Sequence, residues 1–363
     1  MTKIYLRPTN FVESPQRHEG QSLRLAGTML WFSQLEYIEL GANSTRRQLV
    51  AVSQWPDFIA ALSDPDRDRS TSLLERITAP RAALQMGSRT IRLDQPHVMG
   101  IINATPDSFS DGGKNFDPDV AAEAAFAMST AGAAIIDVGG ESTRPGAALV
   151  WEGDELSRVE PLIRRLSGAG TAVSIDTRKA SVMEGALQAG ASMINDISAL
   201  LYDDRAVDVA RTSDVPVVLM HAPSQSSDPH KDGVYTDVVC DVFDWLEDRV
   251  ACAEAAGISR DKILVDPGIG FGKSLTENLA IINNLAIYHA LGCGLLFGAS
   301  RKRLIGALAN EAAADDRLGG SIFLALRAVE QGAHIVRVHD AAETVQAIQV
   351  WRGLRDTALT AAA

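Results

Sequence analysis

Eight short apolar runs, spread over residues 97–340, constrain the fold of this 363-residue chain more than any other feature. The runs are rich in β-branched residues and alternate with Ala- and Leu-rich amphipathic stretches, which is the pattern of repeated βα units around a parallel sheet. The strand candidates are HVMGIIN (97–103), AAIIDVG (133–139), TAVSID (171–176), SMINDI (192–197), VPVVLMH (215–221), KILVDP (262–267), GLLFGAS (294–300) and HIVRVHD (334–340). Eight such units predict a closed TIM-type (β/α)8 barrel.

An open, doubly wound sheet is the rival architecture, because it is also built from βα repeats. Its phosphate-binding fingerprint would be G-x-G-x-x-G after the first strand. Here the first strand is followed by NATPDSFSDGG. The closed barrel is therefore favoured.

Residues 1–95 do not follow the βα pattern. Their apolar segments, LAGTMLWFSQLEYIEL and LVAVSQWPDFIAAL, are joined by polar and Asp/Arg-rich pieces such as SDPDRDRSTS. A barrel takes roughly 250 residues, so the remaining length accommodates a second, smaller unit. We expect a small α/β accessory region of unknown role over residues 1–95 and a catalytic barrel over residues 96–363.

Charge and composition restrict the partners and the compartment. The formal net charge is −12, which disfavours binding to nucleic acid or an anionic membrane surface. No run approaches 18 apolar residues, and the N-terminus lacks a secretory pattern. The three cysteines form no CxxC pair. We expect a cytoplasmic protein that acts on small molecules, with no nucleic acid and no membrane as partner.

Polar residues stand at the end of almost every predicted strand, where a TIM barrel has its substrate-binding mouth. Such residues also simply end strands and cap helices, but eight of them in register make that explanation weak. Carboxylates and amides lie at Asp176, Asn195 and Asp266, and cationic groups at Arg144, Arg301, Lys302, Arg337 and His339. A carboxylate suits paired N–H groups on a polar heterocycle, as Asp266 or Asp176 could, and an arginine fork suits phosphate oxygens.

Seven motifs at these strand ends resemble the dihydropteroate synthase family of pterin-binding barrels. They are GIINATPDSFSDGG (100–113), DVGGESTRPGA (137–147), SIDTRK (174–179), INDIS (194–198), DPGIGFGK (266–273), GASRK (298–302) and RVHD (337–340). The resemblance runs from about Val98 to Trp351. It implies a transferase of folate biosynthesis, in which the amine of 4-aminobenzoate attacks the methylene carbon of a dihydropterin methyl diphosphate and diphosphate leaves.

The resemblance also implies roles for individual residues. The pterin pocket would contain Asp176, Asn195, Met220, Asp266, Phe271 and Lys302. The diphosphate and 4-aminobenzoate would contact Asn103, Asp107, Thr143, Arg144, Pro145, Ser300, Arg301, Arg337 and His339. We expect Asp176, Lys302, Arg337 and His339 to act in catalysis, and Asn103 to bind a Mg2+ cofactor that assists the departure of diphosphate. A homodimer and inhibition by sulfonamides are further expectations from the family.

Two departures from the family pattern concern the shape of the pocket. Ala104 stands where a β-branched residue is more usual, and Ala222 stands where a second methionine is common. Three other functions remain open: a corrinoid methyltransferase that uses methyltetrahydrofolate, a catalytically silent pterin-binding homologue, and an aldolase-like barrel with Lys302 as Schiff-base lysine. Ser300, Lys302 and the ESTRP segment argue against the first, and the set of anion-binding residues argues against the second.

Overall fold

The computed structural model of the chain describes residues 2–17, 19–41, 44–105, 117–142, 146–224, 229–231 and 233–360. Within these residues the N-terminal region forms a four-stranded antiparallel sheet, two α-helices and a hairpin. The elements are β1 (Lys3–Val12), β2 (Leu23–Arg24), β3 (Trp31–Leu40), β4 (Thr45–Ala51), α1 (Trp55–Ala60), α2 (Asp64–Thr78), β5 (Leu84–Met86) and β6 (Arg89–Ile91). The central strand β3 pairs with β1 on one edge and with β2 and β4 on the other.

In the described part of the chain, eight parallel strands follow and close into a barrel, with β14 paired to β7. The strands are β7 (His97–Asn103), β8 (Ile135–Gly139), β9 (Val173–Asp176), β10 (Met193–Asp196), β11 (Val217–Met220), β12 (Ile263–Asp266), β13 (Gly294–Phe297) and β14 (Ile335–Val338). The helices are α3 (Pro118–Ala131), α4 (Glu152–Gly168), α5 (Ala180–Gln188), α6 (Ala206–Ser213), α7 (Val238–Ala255), α8 (Leu275–Asn283), α9 (Arg303–Leu308), α10 (Leu318–Val329) and α11 (Ala341–Thr360). The predicted TIM barrel is confirmed, and the open sheet is excluded.

The strand boundaries differ from the predicted ones by one to three residues, except at β7. The clearest case is β13, which ends at Phe297 although the apolar run suggested an end at Ser300. Gly298 and Ala299 extend the run, but the chain turns after them, and Arg301 adopts a left-handed φ of 57°. Glycine and alanine continue the apolar pattern but do not require an extended backbone. The apolar run is therefore longer than the strand.

Helix α7 shows how local sequence sets the boundaries of the barrel helices. The Asp237 carboxylate accepts hydrogen bonds from the backbone N–H groups of Val239 and Cys240, which otherwise lack partners at a helix start. The helix ends just before Gly257, whose φ of 100° suits a residue without a side chain. The helix thus returns the chain to the start of β12.

The floor of the barrel, at the N-terminal ends of the strands, is closed by the β5–β6 hairpin. Leu84, Met86 and Ile91 of the hairpin belong to one buried apolar cluster together with inward-facing residues of the barrel strands. The strand residues in this cluster include Met99, Ile135, Met193, Val218, Leu264, Leu296 and Ile335. This layer excludes water from one end of the barrel and leaves the opposite end as its mouth.

The sheet and the two helices of the N-terminal region pack against the outside of the barrel and do not form a separate core. Their buried side chains belong to the same hydrophobic cluster as the barrel helices. Tyr5 meets Phe243 of α7 edge to face, with ring centroids 5.4 Å apart. Arg69 and Arg76 of α2 both contact Glu247 of α7, at 2.8 and 3.0 Å. The region is therefore an integral part of the folded molecule.

Among the described residues, no helix combines the length and the apolar character that crossing a membrane requires.

Candidate active site

Charged and polar side chains fill the barrel interior above the apolar floor. Because strand side chains alternate with period two, a residue two positions beyond a floor residue also points inward. On β8 the floor residue Ile135 is followed by Asp137, and on β14 Ile335 is followed by Arg337. The same strands thus form the floor and carry the site.

Arg337 lies at the centre of this polar layer and binds two carboxylates. Its Nε donates to Asp137 Oδ2 at 2.6 Å, and one terminal nitrogen donates to Asp176 Oδ2 at 2.5 Å. The Asn195 side-chain amide donates to the same Asp137 oxygen at 3.0 Å. The arginine side chain is about one-fifth exposed, and Asp137 is fully buried. The guanidinium plane is therefore held from two sides.

Burial and neighbouring charges together shift the pKa values of Asp176 and Arg337. Burial raises the pKa of Asp176 to about 7, with Arg337 opposing the rise and Asp137 adding to it. For Arg337, burial alone would lower the pKa, but Asp137 and Asp176 outweigh it and raise the pKa above its ordinary value. Arg337 thus stays protonated, whereas the pKa of Asp176 lies close to neutral pH.

Asp266 and Lys302 form the other half of the polar pocket. Asp266 Oδ1 accepts a hydrogen bond from the Gly268 N–H at 2.7 Å, which fixes the carboxylate at the start of the GIGFGK turn. Burial raises its pKa, although Lys302 opposes that rise. A Cβ atom added at Gly298 would lie 3.7 Å from Arg337 Cβ and 3.9 Å from Asp266 Oδ2, so this glycine lies between the two halves of the pocket.

Lys302 reaches the pocket from the turn before α9. Its ammonium group donates to the Ile269 carbonyl and lies 4.6 Å from the centroid of the Phe271 ring. Burial lowers its pKa to about 8, with Asp266 opposing the shift. An ammonium group held by a backbone carbonyl and a ring face is suited to contact a ligand carbonyl as a point charge.

An apolar wall stands beside the charges. Met220 and Phe271 pack together with Ile197 and Ala222 in a small buried cluster. The His230 ring stacks on Phe271, with centroids 4.7 Å apart and planes inclined by 12°. A flat heterocycle could therefore bind with its faces against apolar side chains and its edge against Asp266 or Asp176.

Ser300 and His339 lie next to each other at the rim. The Ser300 hydroxyl accepts from the backbone N–H of His339 at 3.1 Å and is hydrogen-bonded to His339 Nδ1 at 3.1 Å. Arg301 is placed differently, because its guanidinium forms ion pairs with Asp340 and Asp315. Its predicted contact with substrate stays a prediction. Asn103 ends β7, the strand between β14 and β8, and is aligned with Gly139 of β8.

Four predicted site residues lie outside the described residues. They are Asp107 in the first strand-to-helix segment and Thr143, Arg144 and Pro145 in the second. The structure brings together Asp176, Asn195, Asp266, Lys302 and Arg337, with Met220 and Phe271 beside them. Their individual roles remain predictions.

The family of pterin-binding enzymes matches the chain over residues 99–339. The dihydropteroate synthase of Escherichia coli K12 is 44% identical over 262 residues, which cover 72% of this chain and 92% of the relative. The chain belongs to the dihydropteroate synthase family. It is accordingly an enzyme of the transferase class.

Solved structures of dihydropteroate synthases share this fold. The Xanthomonas albilineans dihydropteroate synthase with 4-aminobenzoic acid has 44% sequence identity and a TM-score of 0.71, covering 76% of this chain and 98% of that one. The same enzyme in complex with 7,8-dihydropteroate has 42% identity and a TM-score of 0.68, covering 75% and 98%. About a quarter of the chain lies outside these similarities.

One residue in the site of this dihydropteroate synthase family member was not predicted from the sequence. Asp137 begins the DVGGESTRPGA motif, but it lies two residues before the end of β8, and the predicted site residues were those at strand ends. The strand pattern could have identified it, because Asp137 lies two positions from both Ile135 and Gly139 and so shares their inward face. Its second oxygen, Oδ1, is buried without a hydrogen-bond partner among the described residues. That oxygen is an acceptor that a ligand could use.

Proposed function

We propose that the chain condenses 4-aminobenzoate with (7,8-dihydropterin-6-yl)methyl diphosphate to give 7,8-dihydropteroate and diphosphate. The observation that carries the proposal is the convergence of three carboxylates, an amide, a lysine and an arginine on one barrel mouth. Dihydropteroate and 4-aminobenzoic acid, bound in the related Xanthomonas structures, are the product and a substrate of this reaction.

The pterin would bind in the polar pocket beside the apolar wall. A carboxylate that accepts two parallel N–H bonds matches the guanidine-like edge of the heterocycle. Asp266 and Asp176 both offer such a carboxylate, and Lys302 is placed to contact the ring carbonyl. Asn195 would assist from its position beside Asp137. Met220 and Phe271 would cover the faces of the ring.

The bond changes require the leaving group to be stabilised more than the nucleophile to be activated. The C–O bond to diphosphate breaks, and its electron pair leaves with the diphosphate. The nitrogen of 4-aminobenzoate forms the new C–N bond and then loses a proton. An aryl amine is already neutral at pH 7, so positioning it matters more than deprotonating it.

Arg337 and His339 would stabilise the departing diphosphate. Two of the five guanidinium N–H groups of Arg337 are bound by Asp137 and Asp176, which leaves further donors in the same plane for phosphate oxygens. Because the two carboxylates fix that plane before the substrate arrives, the donors need no reorganisation as negative charge develops. Asp137 would thus act as a positioning residue.

We also propose Mg2+ as the cofactor, with Asn103 as its protein ligand. The amide oxygen at the end of β7 is of the donor type that Mg2+ prefers, and few protein ligands are needed when waters and substrate phosphates complete the shell. The bound ion would neutralise charge on the diphosphate. The residues present fit this role.

The 4-aminobenzoate would lie near Ser300 and the segment that carries Thr143, Arg144 and Pro145, with Asp107 and Arg301 as further candidates. A sulfonamide shares its aryl amine and an anionic end, so it would compete for the same place. We therefore propose sulfonamide inhibition that added 4-aminobenzoate relieves. Inhibition unaffected by 4-aminobenzoate would contradict a shared pocket.

We propose a homodimer formed through the outer face of two adjacent helices. Leu318 and Phe323 of α10 and Val350 and Leu354 of α11 are exposed, Phe323 by 66%. Apolar side chains of this size on neighbouring helices fit a second copy of the chain. We further propose that the enzyme acts in the cytoplasm, because Cys252 is an exposed free thiol.

The test is to incubate purified protein with the pterin diphosphate, labelled 4-aminobenzoate and Mg2+, and to measure labelled pteroate and released diphosphate. We expect both products in equal amounts. Binding of pterin without labelled pteroate would support the silent homologue. Methyl transfer from methyltetrahydrofolate to a corrinoid protein would support the methyltransferase instead.

A further inference from the structure

The segment of residues 141–150, which connects β8 to α4, is tied at both ends to one buried lysine. Lys179 Nζ donates to Glu141 Oε1 at 3.2 Å, at the start of the segment. The same ammonium group donates to the Val150 carbonyl at 2.6 Å, at the end of the segment. The Val150 N–H also donates to Glu141 Oε1, at 2.9 Å. Lys179 therefore holds Glu141 and Val150, the two ends of this connection, next to each other. Arg178 is a second cation at Glu141, with 3.5 Å between Arg178 Nε and Glu141 Oε2.

A second carboxylate anchors the lysine to the barrel helices. Lys179 Nζ donates to Glu155 Oε2 of α4 at 2.6 Å, and the other Glu155 oxygen accepts from the Thr177 hydroxyl at 2.6 Å. The Glu155 side chain is completely buried, and those of Lys179 and Glu141 are 9% and 8% exposed. Buried ion pairs are stable only when the geometry satisfies their hydrogen bonds. Here the three N–H groups of the Lys179 ammonium are matched by three acceptors, on Glu141, Val150 and Glu155.

The lysine is also close to the pterin pocket along the chain. Asp176 ends β9, Thr177 donates its backbone N–H to the Asn195 carbonyl at 3.1 Å, and Lys179 follows two residues later. A small recess beside Asp176 is lined by Glu141, Glu155 and Thr177. The clamp and the pterin pocket thus share a wall but use different side chains.

We propose that Lys179 is a positioning residue that holds Glu141 and Val150, the two ends of the connection between β8 and α4, and thereby sets the affinity for 4-aminobenzoate. The proposal rests on the proposed function, because Thr143, Arg144 and Pro145, between the two ends, are assigned to 4-aminobenzoate there. The lysine touches neither substrate and acts through the two ends of the loop. Its loss changes the binding of 4-aminobenzoate and leaves the binding of the pterin diphosphate nearly intact.

Lys179→Met is the direct test, since it keeps the aliphatic stem and removes the charge. We expect its KM for 4-aminobenzoate to rise at least about tenfold and its KM for pterin diphosphate to change less than about twofold. Lys179→Arg restores a cation and should recover part of the loss. Equal rises in both KM values, or a loss of kcat alone, would overturn the proposal.

Lys262→Met is the matched control. Lys262 also binds a backbone carbonyl and a carboxylate, both of Asp214, but it lies before β12 at the opposite end of the barrel. We expect its KM values to equal those of the unmodified enzyme. If Lys179→Met does not fold, Glu141→Gln carries the test. A threefold rise in the KM for 4-aminobenzoate is expected there, and no change would overturn the proposal.

A second measurement does not depend on activity and separates this proposal from the proposed function. Hydrogen exchange of a peptide that covers residues 141–150 reports whether the loop ends are held. We expect this peptide to exchange at least about tenfold faster in Lys179→Met than in the unmodified enzyme. In Lys262→Met its exchange rate should be unchanged. Unchanged exchange in Lys179→Met refutes the clamp. Failure of the unmodified enzyme to make pteroate would refute the proposed function and leave this result standing.

Discussion

The two ends of the barrel interior differ in chemistry, although the same strands build both. On β8, β12 and β14 the floor residues are Ile135, Leu264 and Ile335, and two positions later each strand carries Asp137, Asp266 or Arg337. Two residues along a strand span about 7 Å. An apolar layer that stabilises the fold therefore directly supports a charged layer that binds the ligand.

Burial disfavours the charged form of ionisable groups at both ends, but the consequences at neutral pH differ. In the mouth the pKa values of Asp176 and Lys302 move toward neutrality, to about 7 and about 8, so that small changes in the surroundings alter the charge. Near the floor, burial lowers the pKa of His289 to about 3, and the ring stays neutral at physiological pH. We expect substitutions in the mouth to change mainly activity and those at the floor mainly stability.

The largest effect is expected for Arg337→Ala. Loss of a preorganised donor to the leaving group should lower kcat by about 10²–10³-fold, with a much smaller change in pterin affinity. The substitution also leaves Asp137 and Asp176 buried without their cation, which costs about 3–5 kcal/mol of unfolding free energy. Steady-state kinetics and pterin titration of the folded variant measure the two effects separately.

Arg164→Ala is the control for this experiment, because Arg164 is exposed and pairs with Glu160 on the surface of α4. Its kinetics should be unchanged. An equal loss of pterin affinity and of kcat in Arg337→Ala would contradict the role of Arg337 on the diphosphate.

A cavity at the floor should lower the unfolding free energy and leave kcat nearly unchanged. Leu84→Ala removes a side chain that is 2% exposed from the cluster closing the barrel, and we expect a loss of about 2–5 kcal/mol in unfolding free energy. The kcat of the folded variant should stay within twofold. Denaturant unfolding checks the first value, and Leu49→Ala, at a leucine that is 61% exposed, should change stability by less than about 0.5 kcal/mol.

The buried histidine near the floor predicts a pH dependence of stability. Because the pKa of His289 in the folded protein is below its unfolded value, the unfolded chain binds more protons as pH falls. Its contribution to stability is complete above about pH 6.5 and is lost as pH falls from there toward about pH 3.

We therefore expect His289→Gln to weaken the acid sensitivity of the unfolding free energy by up to about 1.4 kcal/mol per pH unit between pH 6 and pH 4. Glutamine can still donate to the Gln331 carbonyl, as the His289 ring does at 3.0 Å. Parallel urea titrations of the two proteins at several pH values provide the comparison. Identical pH slopes would show that His289 does not control the acid response.

The sequence predicted the mouth better than it predicted the surroundings of the mouth. Strand ends in a barrel converge by geometry, so polar residues such as Asp176 and Asp266 could be located from local patterns alone. The hydrogen bonds between them could not, because Arg337 and Asp137 are 200 positions apart. The Lys179 clamp was missed for the same reason, since its partners lie 24 to 38 positions away along the chain.

The N-terminal region was the least predictable part. Its apolar segments indicated a folded unit, but the surface on which it docks depends on contacts such as Arg69 with Glu247, which are 178 positions apart. No local pattern identifies such a pair. Its effect on the barrel must therefore be measured.

The smallest effect is expected where this region meets the barrel far from both ends of the interior. Glu247 binds Arg69 through both oxygens at 2.8 Å and Arg76 at 3.0 Å, with side chains about 27–32% exposed. Exposed ion pairs of this kind contribute about 0.2–1 kcal/mol each. Glu247→Ala should therefore cost about 1 kcal/mol in denaturant unfolding and leave kcat and both KM values unchanged.

Glu160→Ala removes a more exposed pair on α4 and serves as the reference, with a cost below about 0.5 kcal/mol. The ratio of the two losses shows whether the α2–α7 contact is more than an ordinary surface pair. If Glu247→Ala instead raised the KM for either substrate, the N-terminal region would influence the mouth. The separation of a stabilising exterior and floor from a reactive mouth would then fail at α7, the helix that follows the strand carrying Met220.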